Sequence, residues 1–137
     1  MICLSSAHLN SNFRTIQCTH SLLRWLIKRK KQPEVLSHNG PCAVLDDRSF
    51  VGIDNKSLHT ICFSGSDITD AGLLIIAQGC PQLKDITLIG CEKICDEGLL
   101  ALAVNLPGMT SIDLCLAFKA THVGLHAIAE HCPARSL

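Results

Sequence analysis

Cysteine and histidine are the residues of this chain with the greatest chemical potential, and its 137 residues include nine cysteines and seven histidines. Thiolates and imidazoles bind zinc, and the same groups act as nucleophile and general base in enzymes. Two chemical hypotheses follow, a zinc site and a cysteine-dependent catalytic site. The candidate zinc ligands lie at short spacings and are Cys91, Cys95, His122, His126, His131 and Cys132.

The spacing of these residues does not favour a zinc site. Cys91 and Cys95 lie about 25 residues or more from the histidines, and a similar segment about 25 residues earlier has Ser66 and Thr69 at the corresponding positions. The two histidines four residues apart fall on a predicted helix, where such a pair is usually part of a solvated face. The sequence therefore predicts no bound metal and no cofactor.

A catalytic site requires a nucleophile, a base and an orienting group that converge in one pocket. Cys62, Asp113 and Cys115 occupy outward positions of predicted strands, whereas the nearby histidines mostly fall on predicted helices. His59, at the start of a predicted strand, is the exception. The glycines recur singly and form no glycine-rich phosphate loop. The sequence therefore predicts a protein that is not an enzyme.

The elements that carry these residues repeat along the chain. Three residue types recur at intervals of 26 residues, and the recurring positions are Gly72, Gly98, Gly124, Leu73, Leu99, Leu125, Pro81, Pro107 and Pro133. The strand positions Ile61, Ile86 and Ile112 step by 25 and then by 26 residues. A fixed period in the twenties is typical of a leucine-rich-repeat solenoid. The predicted copies are 58–82, 83–108 and 109–137.

Each copy combines a short strand with a helix. In the second copy Ile86 and Leu88 alternate with outward residues as in a half-buried strand, and Leu99 and Leu102 follow at helical spacing. One strand and one helix cannot bury their apolar faces alone, so neighbouring copies are expected to stack. The predicted fold class is α/β, a right-handed β-α superhelix with parallel strands on the concave face and helices outside.

Three cysteines are predicted to pack in the core of this fold. Cys80 and Cys132 lie in the last helical turn before a proline, and Cys91 follows a strand at the N/C position of the repeat template. A buried free thiol behaves as a small apolar side chain. A disulfide framework is not expected, because the amino-terminal segment does not resemble a signal peptide.

The segment from Ile68 to Leu83 reads Ile-Thr-Asp-x-Gly-Leu-x-x-Ile-Ala-x-x-Cys-Pro-x-Leu. This pattern resembles the cysteine-containing leucine-rich repeat of F-box/leucine-rich-repeat proteins. The resemblance implies a protein–protein interaction module, the substrate-recognition or scaffold part of an SCF-type ubiquitin ligase, with ligase subunits or a substrate as partners. Residues 1–44 lack the Leu-Pro opening and the three short helices of an F-box. The alternative is an autonomous leucine-rich-repeat regulatory scaffold unrelated to ubiquitination.

Residues 1–44 are predicted to be a basic leader, distinct from the repeat domain 45–137. Residues 1–40 carry a net charge of +5 and the rest of the chain carries −5. An apolar stretch from Ser21 to Ile27 precedes four consecutive basic residues. Three interpretations stay open: a helix that caps the solenoid, a nuclear-import or membrane-surface basic helix, and a solvated, partly disordered leader.

Residues 45–57 align with the helical half of the first copy and are predicted to form a degenerate capping repeat, with a shifted non-repeat helix as the alternative. No apolar stretch approaches the roughly 20 residues that span a bilayer. The sequence predicts no membrane span and a cytoplasmic location, with the nucleus as the alternative. The carboxy-terminal copy shows no cap, which predicts self-association through that end, a further continuation, or low stability.

The predicted binding surface is the concave face of the sheet, where each strand presents three outward side chains. The predicted rows are Thr60, Asp85 and Ser111; Cys62, Thr87 and Asp113; and Ser64, Ile89 and Cys115. These side chains are small, mostly polar and mildly acidic. A basic or extended protein segment is the expected partner, and the acidic charge disfavours nucleic acid. Plain solvated surface is the alternative interpretation.

Overall fold

Residues 15–17, 20–38 and 45–132 are described by a computed structural model of the chain. Within these residues five strands form one sheet, in which strand order follows chain order and every neighbouring pair is parallel. The strands are β1 Thr15–Gln17, β2 Val35–His38, β3 Thr60–Ser64, β4 Asp85–Ile89 and β5 Ser111–Asp113. The helices are α1 His20–Lys28, α2 Asp70–Gly79, α3 Asp96–Asn105 and α4 His122–His131, with a 3-10 helix at Asp47–Phe50. The α/β class with a parallel sheet is confirmed.

The register of the sheet follows the sequence period. Ile61 lies opposite Ile86, and Ile86 lies opposite Ile112, on adjacent parallel strands. The predicted alignment of these three isoleucines is therefore confirmed. The single extra residue after β4 does not disturb the register, because it lies in the turn at Cys91–Ile94 rather than in a strand.

Burial alternates along β3 and β4, and this alternation places the core on one side of the sheet. Ile61, Phe63, Ile86 and Leu88 are buried, whereas the residues between them are half-buried. The buried residues join one apolar cluster with the leucines and isoleucines of α2, α3 and α4. The predicted inward packing of three cysteines is confirmed, since Cys80, Cys91 and Cys132 are fully buried.

The sheet continues into the segment that was expected to be a leader. Strands β1 and β2 were not predicted, and both lie within residues 1–44. Leu23 and Leu26 of α1 are buried in the same core as the repeats, and the Arg24 guanidinium donates to the carbonyl of Val51. This burial fits the capping interpretation of α1, because a membrane-surface helix would need the same apolar side exposed.

The same backbone contact occurs three times, between the starts of four successive strands from β2 to β5. The Glu34 carbonyl accepts from the amides of His59 and Thr60, and the His59 carbonyl accepts from Lys84 and Asp85 in the same way. The Lys84 carbonyl in turn accepts from Thr110 and Ser111. This recurring contact therefore begins ahead of residue 45, at Glu34.

The segment 45–57 supplies a short helical turn where an α-helix was expected. The 3-10 helix Asp47–Phe50 begins with Asp46, whose carboxylate accepts from the Arg48 amide in a capping box with Ser49. Leu45 and Phe50 are fully buried, as their alignment with the first copy predicts. Predictions for residues 1–14, 18–19, 39–44 and 133–137, including partial disorder of the leader and the helix stop at Pro133, lie outside the described residues.

Three aspartates, Asp47, Asp70 and Asp96, connect each helical segment to the next, and we call them the inter-copy aspartates. Asp70 accepts from the Cys95 amide at 2.8 Å, where α3 begins. Asp96 accepts from the Thr121 amide at 2.7 Å, where α4 begins. A carboxylate at a helix amino terminus satisfies free amides and interacts favourably with the helix dipole.

The contact of Asp47 with the start of α2 differs from the cap that the sequence predicts. The sequence before Leu73 offers Thr69 or Asp70 as the cap of this helix, because both residue types accept hydrogen bonds at helix starts. Thr69 does occupy the cap position, but its side chain caps nothing in its own helix. Its amide donates to Asp47 at 2.8 Å and its hydroxyl donates to the same carboxylate. The caps of α2 and α3 therefore come from the preceding copy, which the sequence of one copy does not reveal.

The recurring glycines provide room for the inter-copy aspartates. A β-carbon on Gly72 would lie 2.2 Å from Oδ1 of Asp47, and one on Gly98 would lie 2.3 Å from Oδ1 of Asp70. Both distances are far below van der Waals contact, so any larger residue would push the carboxylate away from the next helix. The 26-residue glycine spacing is thus explained by close approach between copies.

Candidate protein-binding face

The outer sheet face is the side of β2, β3, β4 and β5 that points away from the helices. Two of its predicted rows are present in register: Thr60, Asp85 and Ser111 lie on successive strands, as do Cys62, Thr87 and Asp113. Ser64 and Ile89 are also paired. All of these side chains are half-buried except Asp113, which is exposed.

The third predicted row is incomplete, because Cys115 is not on a strand. Strand β5 ends at Asp113, and Cys115 lies in the following turn with its side chain exposed. The Asp113 carboxylate accepts from the Cys115 amide at 3.0 Å, and Leu116 then adopts a left-handed backbone with φ of 62°. The Cys115 carbonyl accepts from the Gly90 amide at 2.9 Å, just after β4.

The face also extends beyond the predicted residues. Val35 lies opposite Thr60 and Ser37 lies opposite Cys62, so β2 adds a fourth member to each complete row. Both added side chains are half-buried. The alternation Val-Leu-Ser-His offers a strand pattern at these positions, but it is only four residues long and follows a basic segment. A four-residue pattern is too short to distinguish from a loop without its neighbours.

The fixed charges of the outer sheet face are its two aspartates. Asp85 accepts a hydrogen bond from the Thr110 hydroxyl at 3.0 Å, which fixes the carboxylate at the start of its strand. Asp113 is held by the Cys115 amide at the other end of the face. The described face therefore offers two oriented carboxylates and a row of small hydroxyl and thiol groups to any bound segment.

Three thiols of the described residues, those of Cys80, Cys95 and Cys115, are poorly suited to nucleophilic chemistry. The adjacent Asp113, which accepts a hydrogen bond from the protonated thiol and repels the thiolate, raises the pKa of Cys115. Burial and the charge of Asp70 raise the pKa of Cys95, and burial raises the pKa of Cys80 to about 12. A thiol reacts as its thiolate, so a raised pKa lowers its reactivity at neutral pH.

Two of the histidines considered as metal ligands contact groups of their own helix. His126 on α4 is 3.6 Å from the Glu130 carboxylate, and the Nδ1 of His131 lies 2.9 Å from the Ala127 carbonyl oxygen. Cys91 is fully buried, and its sulfur is 3.2 Å from the Ser66 hydroxyl. His59, the exception in the sequence, has its Nδ1 2.8 Å from the Ser57 carbonyl oxygen.

A different set of potential ligand atoms comes together within the described residues. Side-chain atoms of Asp70, Cys95 and Glu97 lie within 4.8 Å of one another. Asp70 is the inter-copy aspartate that already accepts from the Cys95 amide, so this cluster has a structural role between α2 and α3. Neither of the two cysteine and histidine sets suggested by the sequence forms such a cluster in the described part of the chain.

The carboxy-terminal copy has an exposed apolar surface that we call the terminal apolar edge. Its members are large apolar side chains with 40–74% exposure, namely Leu116, Phe118, Val123 and Leu125. In the second copy the matching residues of the first three are Gly90, Glu92 and Glu97. The apolar character of this edge is therefore specific to the carboxy-terminal copy.

No protein-family model matches this chain, and no curated protein is found to be similar to it. Within the residues that the structure describes, none of the helices combines the length and apolar character needed to cross a membrane.

Proposed function

We propose that the protein is a non-catalytic protein-binding module built as a leucine-rich-repeat solenoid. Sequential parallel strands, helices that contact only their sequence neighbours, and a 25- to 26-residue strand spacing support this architecture. Repeat proteins of this kind bind partners on the surface formed by their stacked strands. The right-handed superhelix and the concave shape of the sheet belong to this proposal.

The observation that carries the proposal is the pair of complete rows on the outer sheet face. Each row places four side chains on four strands, spaced by the separation of about 4.8 Å between neighbouring strands. The backbone of this surface is fixed by ladder hydrogen bonds and by the core beneath it. A pre-organised surface loses little conformational entropy on binding, which favours recognition of a partner.

The proposed partner is an extended or basic polypeptide segment that crosses the strands. Asp85 and Asp113 supply acidic contacts, and the small hydroxyl and thiol side chains allow close approach of another backbone. Nucleic acid is disfavoured on this face, since its phosphates would meet two carboxylates. The proposed location is the cytoplasm, with the nucleus as the alternative.

The test reverses the charge of this face. In Asp85→Lys/Asp113→Lys, capture of the cognate partner should fall at least tenfold because two attractive contacts become repulsive. The control is Glu92→Lys/Glu130→Lys, which makes the same change in net charge at exposed positions away from the face. Circular dichroism should be unchanged in both variants. Equal capture by the wild type and the first variant, or equal loss in both variants, would contradict the proposal.

For the pathway, we propose substrate recognition or scaffolding in an SCF-type ubiquitin ligase, from the resemblance of the 68–83 pattern to F-box/leucine-rich-repeat proteins. The second candidate is an autonomous regulatory scaffold unrelated to ubiquitination, because the repeat pattern by itself encodes packing and not a pathway. Copurification of the tagged full chain with cullin and adaptor subunits separates the two. Recovery of these subunits supports the ligase, and their absence alongside other stable partners supports the autonomous scaffold.

Self-association remains a proposal for the terminal apolar edge. The exposure of Phe118 and Leu125 supports it, because burying large apolar side chains against a second copy removes them from water. It is independent of the outer sheet face, because these residues lie beyond β5 and on α4 rather than on the strands.

A further inference from the structure

Helices α2, α3 and α4 pack side by side, and we call their solvent side the outer helix face. On each helix two exposed positions lie four residues apart, and both recur 26 residues later on the next helix. The six exposed side chains are Leu74, Gln78, Leu100, Val104, His126 and Glu130. None of them belongs to the outer sheet face or to the terminal apolar edge, so this surface is independent of both.

Helix α3 carries more apolar side chains than the core of one chain buries. Its buried residues are Gly98, Leu99, Leu102 and Ala103. Leu100 and Val104, on the solvent side, are nevertheless 47% and 57% exposed. A helix that is apolar all round is normally buried on all sides. A contact with another molecule is therefore expected at Leu100 and Val104.

The exposed apolar side chains of α2 and α3 are neighbours. Leu100 and Val104 lie four residues apart and share one side of α3. Leu74, at the position of α2 that matches Leu100, is 38% exposed. Helices α2 and α3 are in contact, and packed helices lie about 8–10 Å apart. The three side chains thus form one apolar strip across two helices.

Helix α4 has a polar pair where α3 has its apolar pair. His126 matches Leu100, and Glu130 matches Val104. The Nδ1 of His126 lies 3.6 Å from the Glu130 carboxylate, and both side chains are exposed. An imidazole and a carboxylate four residues apart make this helix complementary to a reversed copy of itself, because reversal exchanges the two positions.

We propose that the outer helix face is the contact surface of a homodimer whose two-fold axis runs across the helices. Such an axis lays each helix antiparallel on the same helix of the second copy and exchanges its two exposed positions. The resulting contacts join Leu100 with Val104, His126 with Glu130 and Leu74 with Gln78. Apolar groups meet at α3, an imidazole meets a carboxylate at α4, and none of these pairs opposes like charges. A two-fold interface requires this self-complementarity, which a helix of unrelated sequence would not supply.

The size of the outer helix face sets the expected strength of the dimer. Helices α2, α3 and α4 have ten residues each, so each is about 15 Å long. Three such helices at spacings of about 8–10 Å cover about 400 Å². A stable interface buries roughly 800 Å² on each partner, so we expect a weak dimer that forms only at micromolar concentrations and above.

The first test measures the oligomeric state of the full chain by sedimentation velocity, from low to high micromolar concentration. The wild type is expected to change from monomer to dimer over this range. Leu100→Glu/Val104→Glu places carboxylates opposite one another across the two-fold axis and should stay monomeric at the highest concentration. The control, Leu116→Glu/Phe118→Glu, adds two carboxylates at exposed apolar residues of the terminal apolar edge and should dimerise as the wild type does.

Three outcomes of this test would overturn the proposal. A wild type that stays monomeric would leave the apolar strip to a partner of another sequence. Association that only the control variant abolishes would assign the contact to the terminal apolar edge. Equal loss of association in both variants would show that added charge alone prevents it.

The second test examines the antiparallel arrangement without altering the apolar strip. His126→Glu brings a carboxylate opposite Glu130 of the second copy and should weaken dimerisation about tenfold. His126→Glu/Glu130→Lys restores opposite charges across the axis and should recover the affinity of the wild type. Both positions are exposed, so the fold tolerates both changes, and circular dichroism should be unchanged. Failure of the double variant to recover the affinity would contradict the arrangement.

Discussion

The second and the carboxy-terminal copies share one sequence pattern but differ in how their matching residues are covered. Leu99 and Leu125 occupy the same helical position, yet Leu99 is fully buried and Leu125 is 40% exposed. A β-carbon on Gly124 would lie 2.7 Å from the Leu99 side chain, which shows how closely α4 covers it. Leu125 has no such cover among the described residues. The burial of a repeat position is therefore decided by the following copy.

The two copies also differ in the groups that connect copies. Asp96 at the start of α3 holds the first turn of α4, where it accepts from the Thr121 and Gly124 amides. The matching residue of α4 is His122, which has no carboxylate. At the end of the strands, Gly90 is replaced by Leu116 with the same left-handed backbone. The carboxy-terminal copy keeps the backbone geometry of the pattern. It lacks the carboxylate that hydrogen-bonds the following helix in the earlier copies.

The largest expected difference between the copies concerns their matching leucines. Leu99→Ala should lower the free energy of unfolding by about 2–5 kcal/mol, because it leaves a cavity between α3 and α4. Leu125→Ala should lower it by less than about 1 kcal/mol, since this side chain is partly in solvent already. Urea denaturation of the two variants measures both values. Equal losses would mean that the carboxy-terminal copy is covered in solution, for example by self-association.

The close approach between copies predicts the next effect. In Gly98→Ala the new β-carbon would lie 2.3 Å from Oδ1 of Asp70, so the carboxylate must leave the Cys95 amide. We expect a loss of about 1–3 kcal/mol. Gly108→Ala is the control, because no atom lies within 4 Å of its new β-carbon, and its effect should be within about 0.5 kcal/mol. The loss should shrink when Asp70→Ala is added, since the two residues then no longer collide.

Substitutions at the left-handed residue after β4 and after β5 should have opposite effects on the free energy of unfolding. Leu116→Gly should raise the free energy of unfolding by about 1 kcal/mol, because a β-carbon at φ of 62° is unfavourable and the exposed side chain contributes little packing. Gly90→Ala should lower it by a similar amount, since its φ is 69°. Thermal denaturation compares them. A destabilised Leu116→Gly would indicate that the Leu116 side chain is buried by a contact in solution.

The smallest expected effect is a difference in acid sensitivity. Hydrogen bonds from the Thr121 hydroxyl and amide lower the pKa of Asp96 below its ordinary value of 3.8. Its contribution to stability is therefore complete above pH 3.8 and is lost as the pH falls through the lowered pKa. Asp96→Asn should melt at a lower temperature than the wild type at pH 6, and this gap should close as the pH falls from 3.8 through the lowered pKa of Asp96. His122→Asn, at the matching position, should shift the acid limb of the wild type only slightly, because the charge of His122 is the weakest of the causes that lower the pKa of Asp96.

Most of the fold could be predicted from the residues that recur at a strict period. Ile61, Ile86 and Ile112 predicted parallel neighbours because each lies at the same step of a pattern that only stacking can bury. Strands β1 and β2 carried no such signal, since β1 has three residues and β2 has four. Their strand structure depends on pairing with β3 and with each other, which is tertiary information.

The candidate face was predictable to the extent that strand register was predictable. Alternation fixed the outward direction of Thr60 and Asp85, and the period fixed their pairing. The sequence predicted a strand position for Cys115 because the alternating pattern continues through it. In the structure the strand ends at Asp113, whose carboxylate accepts from the Cys115 amide, and Leu116 then has a left-handed backbone. The inter-copy aspartates were not predicted either, because their partners are 22 to 28 residues away.

The inter-copy aspartates have a consequence for how such a chain can be lengthened or shortened. Each inter-copy aspartate lies in one segment, and the glycine that makes room for its carboxylate lies in the next. The structural pair therefore crosses the boundary between two sequence copies. A duplication or deletion that exchanges whole segments preserves this pairing only when both junctions retain an aspartate upstream and a glycine downstream. Rearrangements cut after α4 would bring His122 to that junction and leave the incoming helix without its acidic anchor.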